Sequence, residues 1–182
     1  MSRIVPAIAS LEQHLRTLNS DPEKYRPSRC PTCGLGGLWC HGHYCRKADR
    51  QSAKLNPIPV PRFLCGKEQG CGKTCSSLPS CIAPRRWYLW IVQQVVLVYL
   101  LAGASLESGA TQCASLGPAV STMQRWWRWL KRRHDEFSFH LRNHQPEWGR
   151  ATQWREFWQR AMQEEPLREL MAYLDRQGLT VP

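Results

Sequence analysis

Cys30-Pro31-Thr32-Cys33-Gly34 is answered about thirty residues later by Cys65 and by Cys71-Gly72-Lys73. Two close cysteines, a glycine that lets the backbone turn toward the sulfurs, and a distant second pair are what a tetrahedral zinc site needs. The first pair is a tight knuckle. The second is looser, because five residues separate Cys65 from Cys71. The reading is one structural zinc on Cys30, Cys33, Cys65 and Cys71, with Cys75 and the cluster Cys40, His41, His43 and Cys45 as competing ligands. That cluster has the ligand types for a second metal with Cys75 or Cys81. No pair within it carries a knuckle's glycine, which favours a basic hairpin with incidental cysteines. No general base stands beside the knuckles, so the site is expected to be structural rather than catalytic.

Around the cysteines the segment from about residue 28 to 84 is rich in glycine and proline and lacks helical periodicity. Too few apolar residues remain there to fold by burial alone, and a metal would supply the missing stability. Ile58-Pro59-Val60-Pro61-Arg62-Phe63-Leu64 alternates like an edge strand leading into the second pair. Upstream, Ile8, Leu11, Leu15 and Leu18 recur at helical spacing and predict an amphipathic helix over residues 3–20.

The 182 residues carry 25 Lys and Arg against 14 Asp and Glu, a net charge of +11. The excess is uneven. Residues 1–86 hold fourteen cations and five acids, whereas 151–182 hold four and five. A surplus of this size favours a polyanionic partner, with nucleic acid first. No secretory leader opens the sequence, the nine cysteines are an odd number, and their spacing is metal-like. A reducing cytoplasmic compartment is expected. The one long apolar run, Trp87 to Ala102, is shorter than the about twenty residues a membrane span needs and carries Gln93 and Gln94 at its middle. It reads as a buried helix, and no membrane role is expected.

From Arg85 the pattern turns helical. Helices are expected at about 85–101 and 105–115, then a long one from Pro118 to about Asn143, and shorter ones at 148–162 and 166–177. Cys113-Ala114-Ser115-Leu116-Gly117-Pro118 followed by Met123, Trp126 and Leu130 has the small residue, the turn glycine and the inward apolar positions of a helix-turn-helix. Outward from its second helix would point Ala119, Ser121, Gln124, Arg125 and Arg128. Gln can bond adenine and Arg guanine through paired hydrogen bonds. Lys131, Arg132 and Arg133 follow as a basic extension suited to phosphates. Trp126, Trp127 and Trp129 cannot share one face of a helix, so at least one must pack elsewhere. In the tail, Trp148, Trp154, Phe157, Trp158, Met162, Leu167, Leu170, Met171 and Leu174 could either pack back onto the long helix or dock a partner.

The run Cys30 to Cys33, Trp39 to Arg46, Pro61 to Cys65, Cys71-Gly72-Lys73-Thr74, Leu78-Pro79 and Arg125-Trp126 resembles the amino-terminal region of insertion-sequence transposases. It is similar also to small stand-alone DNA-binding proteins of mobile elements. The likeness covers about residues 28–133. It implies a zinc ribbon followed by a helix-turn-helix, with Cys30, Cys33, Cys65 and Cys71 as ligands and element ends as the target, while a separate nuclease domain cuts. Two departures stand out: an insertion, Lys67 to Gly70, in the second knuckle, and no nuclease domain after the helices. A two-metal cutting site needs several convergent carboxylates. His134, Asp135 and Glu136 are sequential neighbours that point different ways on a helix.

The expected architecture is therefore a small β- and loop-rich zinc ribbon followed by an all-α helix-turn-helix region with C-terminal helices. Its parts are an N-terminal helix at 1–27, the ribbon at 28–84, the DNA-binding region at 85–145 and a helical tail at 146–182. The expected function is sequence-specific binding of double-stranded DNA, as an accessory or regulatory protein of a bacterial mobile element in transposition or recombination. It would have no enzymatic activity, would be nucleoid-associated, and would take a recombinase, a transposase or a second copy as partner. The alternatives are a zinc-stabilised protein-interaction adaptor and a plain transcription regulator.

Overall fold

In the computed structural model, which describes residues 2–48, 55–84 and 88–181, the chain divides into two compact units. One comprises residues 1–89 with 178–182, and the other residues 90–177.

The first unit is built on four strands: β1 (Ser2–Val5), β2 (Trp39–Arg46), β3 (Ile58–Leu64) and β4 (Thr74–Pro79). Their order in the sheet is β1-β4-β3-β2, with β1 parallel to β4 and the other pairs antiparallel. The single helix expected over 3–20 is corrected here. Residues 2–5 are the strand β1, and the helix α1 spans only Leu11–Ser20. Its start is set by Ser10, whose side chain accepts a hydrogen bond from the Gln13 N–H at 3.1 Å, while Gln13 Oε1 accepts from the Ala9 N–H at 2.9 Å. Reciprocal capping of this kind halts a helix from extending backward.

A second correction concerns β3, which lies inside the sheet rather than at its edge. Pairing with β4 reaches only Arg62, Phe63 and Leu64, so the proline half of β3 has one strand neighbour, β2. That half tolerates residues without an N–H. The Pro59 carbonyl is taken instead by His14 Nε2 at 2.8 Å, and the other ring nitrogen of His14 meets the Tyr25 hydroxyl. His14 is fully buried, and burial pulls its pKa below the usual histidine value despite the bond to Pro59. The ring is therefore neutral, donating from Nε2 and accepting at Nδ1.

Two apolar clusters fill this unit. Ile8, Tyr25, Leu38 and Phe63 pack with Cys30, Cys65 and Cys75. Leu11, Ala48, Ile58, Val60, Leu78 and Ile82 form the other. The cysteine-bearing turns thus rest on an aromatic floor.

The second unit is helical: α2 (Trp90–Leu101), α3 (Leu106–Gln112), α4 (Val120–Arg132), α5 (His134–His144), α6 (Trp154–Glu164) and α7 (Leu167–Arg176). Residues 85–87, the expected start of the first of these helices, lie outside the described residues. Among the described residues no helix is long and apolar enough to cross a membrane. The two central glutamines of α2 face inward. Gln94 Oε1 accepts the Leu167 N–H at 2.8 Å, and Gln93 is fully buried. The helix packs against α3, α4, α6 and α7, while its outer residues Ile91, Val98 and Tyr99 stay exposed.

The long helix expected over 118–143 is two helices that meet at Arg133. Arg133 has φ −96° and ψ 2°, off the helical minimum. Its side chain pairs with Glu136 at 2.8 Å and lies over the Phe137 ring. The tail's apolar series lines this unit's interior: Trp148, Phe157, Trp158, Leu167, Leu170, Met171 and Leu174 are all buried. Those residues are core, and the docking surface considered for them is not presented.

Candidate functional site

Two places in the molecule gather chemistry, one in each unit. In the sheet unit, the Cys30 N–H bonds the Leu35 carbonyl at 2.7 Å, and the Gly34 N–H bonds the Cys30 carbonyl at 2.8 Å. Gly34 sits at φ 77°, in the left-handed region that closes the turn. The Thr32 N–H is 3.4 Å from Cys30 Sγ. In the partner turn the Cys65 N–H bonds the Lys73 carbonyl at 3.0 Å, and Gly72 adopts φ 66°.

These turns bring the sulfurs of Cys30, Cys33, Cys65 and Cys71 within 4.8 Å of one another. Cys30 and Cys71 are 3.7 Å apart and Cys33 and Cys65 3.6 Å. A disulfide would hold them near 2.05 Å. A tetrahedron with metal–sulfur bonds near 2.3 Å has edges of about 3.8 Å, so the donor set fits a thiophilic ion. Among the described residues this is the one group of three or more His, Cys, Asp or Glu gathered closely enough to hold a metal. Cys40, His41, His43 and Cys45 are exposed along β2 and are not so gathered. Cys75 lies in the apolar cluster under the turns, and Cys81 packs on the other one.

The protons of Cys30, Cys33 and Cys65 are unevenly held. Burial works against ionising Cys30, but the N–H groups of Cys33 and Thr32 aimed at its sulfur outweigh it and bring its pKa to about 6. The Leu35 N–H lowers Cys33. For Cys65 the Cys71 N–H favours the thiolate, yet burial and the neighbouring sulfurs push it up to about 12. Four thiolates at this spacing repel strongly unless a cation sits among them.

Gly70 was not singled out from the sequence, where it reads as part of an insertion. A Cβ there would come within 2.2 Å of Cys65 Sγ and 2.7 Å of the Gly66 carbonyl oxygen. The inserted residues therefore fold as a turn whose last glycine passes directly over a sulfur.

In the helical unit, α3 is capped by Ser105, which accepts from the Ser108 N–H at 3.1 Å. The chain then passes through Gly117 at φ 78° into α4. Cys113, Met123, Trp126 and Leu130 are buried, as their spacing required. Ser121, Arg125, Arg128 and Arg132 are exposed and spaced i, i+4, i+7 and i+11, which puts them in one line on the outer face. Gln124 and the exposed Lys131 flank that line, and α4 contains no acidic residue. Arg125 is steadied by Thr122 Oγ1 at 3.0 Å. Arg133 departs from expectation, because its guanidinium is engaged by Glu136 and Phe137 rather than continuing the stripe. Trp126 enters the core, Trp129 meets Phe137 edge-on at 5.9 Å, and Trp127 packs on Trp154 at 4.9 Å.

These features define a class: a small sheet with a four-cysteine cluster, followed along the chain by several helices. The chain belongs to the family described as "Domain of unknown function (DUF6431)", whose match spans residues 30–126, from the first cysteine of the cluster to Trp126 of α4. No curated protein and no solved structure matches the chain.

Proposed function

We propose that this chain binds duplex DNA, with a zinc ribbon as its sheet unit and α3, Gly117 and α4 as a helix-turn-helix, and that it serves a bacterial mobile element as an accessory or regulatory protein. The observation that carries the reading is the outer face of α4. Ser121, Arg125, Arg128 and Arg132 stand in line with Gln124 and Lys131 along one side, on a helix that follows a left-handed glycine turn and has no carboxylate. A helix so furnished suits a major groove, where Arg and Gln read guanine and adenine edges and the remaining cations grip phosphates. The net charge of +11 agrees with that partner.

Zinc is the ion of choice for four thiolates with edges of 3.6 and 3.7 Å. Its role is to fix the sheet unit. The mobile-element setting, a transposase or recombinase partner and a nucleoid location rest on the resemblance of residues 28–133. Binding without cutting is supported by how the helical unit spends five of its nine acids. Glu136, Glu147, Glu156 and Glu169 each pair with a nearby arginine, and Glu165 pairs with His144.

Fluorescence anisotropy on labelled duplexes tests the reading. Each lost base contact of this kind costs about 1–3 kcal/mol, so Arg125→Ala combined with Arg128→Ala weakens binding at least about 30-fold. Affinity that ignores salt, or is unchanged in the double variant, contradicts it. A protein-interaction adaptor is the second reading. It is favoured by Leu35 and Trp39, which are 47% and 69% exposed. A protein partner that co-purifies with a chain failing to bind heparin or DNA would support that reading instead.

A further inference from the structure

Arg155 lies outside every stretch that the sequence ties to DNA. It sits in the first turn of α6 and is exposed. Its guanidinium carbon stands 5.4 Å from the centre of the Trp127 ring and 5.8 Å from that of Trp154. The two indoles pack on each other at 4.9 Å. Trp127 belongs to α4, and on a helix surface its neighbours three back and four on are Gln124 and Lys131. The tryptophan pair therefore seats a cation from α6 beside the flank of the face assigned to the duplex.

The acid next to it in sequence does not neutralise that cation. Glu156, the adjacent acid, is taken by Arg160 at 2.6 Å and by the Thr152 N–H at 3.2 Å. Among the described residues no carboxylate pairs with Arg155. A positive charge in the first turn is also opposed by the helix dipole, which favours anions there. Contact with two rings holds the guanidinium beside them. A pinned, unneutralised, planar fork at the edge of a groove-reading helix has the chemistry for a phosphodiester oxygen pair.

We infer that Arg155 is a phosphate-contacting residue of the DNA-binding surface, held in place by Trp127 and Trp154. The inference rests on the reading of α4 as the duplex-facing helix. The bland alternative is a cation–π contact that only fastens α6 to α4.

The two differ in what salt does. Duplex affinity of zinc-loaded full-length chain is measured across a salt series for wild type, Arg155→Gln, Arg155→Met (which keeps the apolar stem on the rings) and Arg168→Gln as a cation control from α7, which leaves the Arg160–Glu156 pair intact. Thermal melts check the fold of each. Arg155→Gln and Arg155→Met are expected to lose about threefold to tenfold in affinity near 0.15 M salt, equally on unrelated sequences. Their salt slope should fall by about 0.9, while Arg168→Gln keeps both values. Unchanged affinity and slope in the two Arg155 variants overturns the inference, whatever their melting temperatures. If Arg125→Ala with Arg128→Ala abolishes binding while the Arg155 variants do not weaken it, this inference alone falls. If wild type binds no duplex, the reading of α4 falls with it.

Discussion

The two units close their interiors by different means. The helical unit buries Trp90, Trp126, Trp148, Trp158, Phe137 and Phe157 almost completely. Large rings of this kind each remove on the order of 150–250 Å² from water, enough to hold a small bundle. The sheet unit has Tyr25, Phe63 and a set of aliphatic residues, split between two clusters, one of which includes the cysteines themselves. The lesson is that, if the proposed zinc is present, the same length of chain is stabilised by aromatic area in one unit and by a metal clasp in the other. The clasp is the choice when the segment is basic, proline-rich and poor in large apolar residues.

The sharpest way to break the comparison is Gly70→Ala. The added methyl must displace Cys65 Sγ or the Gly66 carbonyl. A zinc-chelator competition should show metal affinity falling by at least about 10–100-fold, the scale seen when ligand-orienting groups are lost. Cooperative unfolding of the sheet unit should then move to lower temperature, while the helical far-UV signal of residues 90–177 persists.

Trp158→Ala should do the reverse. Truncating a fully buried indole costs about 3–5 kcal/mol, and the loss should appear in the melting of the helical unit with metal affinity unchanged. A Trp158→Ala chain that loses its metal would contradict the separation.

The smallest expected effect is the part of the sheet unit's pH dependence that His14 contributes. His14 is held neutral in the fold with its pKa below 6.5, so the unfolded chain takes up a proton first as pH falls. Stability is full above about pH 6.5 and declines as pH drops from there toward the folded-state pKa, at up to about 1.4 kcal/mol per pH unit. His14→Gln can still donate to the Pro59 carbonyl and accept from Tyr25. In urea titrations from pH 7.5 to 5.5 it should flatten this component relative to wild type.

What the sequence disclosed is what is written in short spacings. The two cysteine pairs, the glycine turn at Gly117 and the alternation of buried and exposed residues on α4 each depend on neighbours within about two helical turns, and each was legible. What it hid is nonlocal. β1 is four residues long and pairs with a strand some seventy residues away. The internal place of β3 depends on where β4 stops pairing. Gly70 matters because of a through-space approach to a sulfur, and its local sequence says only that a turn is present. The break at Arg133 has no proline or glycine to announce it, and the contacts Arg133 makes there with Glu136 and Phe137 are visible only in the fold. Arg155 meets α4 only because α6 packs against it through Trp154 and Trp127.

The most direct measurement is metal content and amide hydrogen exchange on one sample, purified under reducing conditions, before and after chelation. One zinc per chain is predicted, with protection across residues 2–84 collapsing on chelation while that of 90–177 stays. A chain that carries no metal yet keeps the sheet unit protected in chelator would contradict the account.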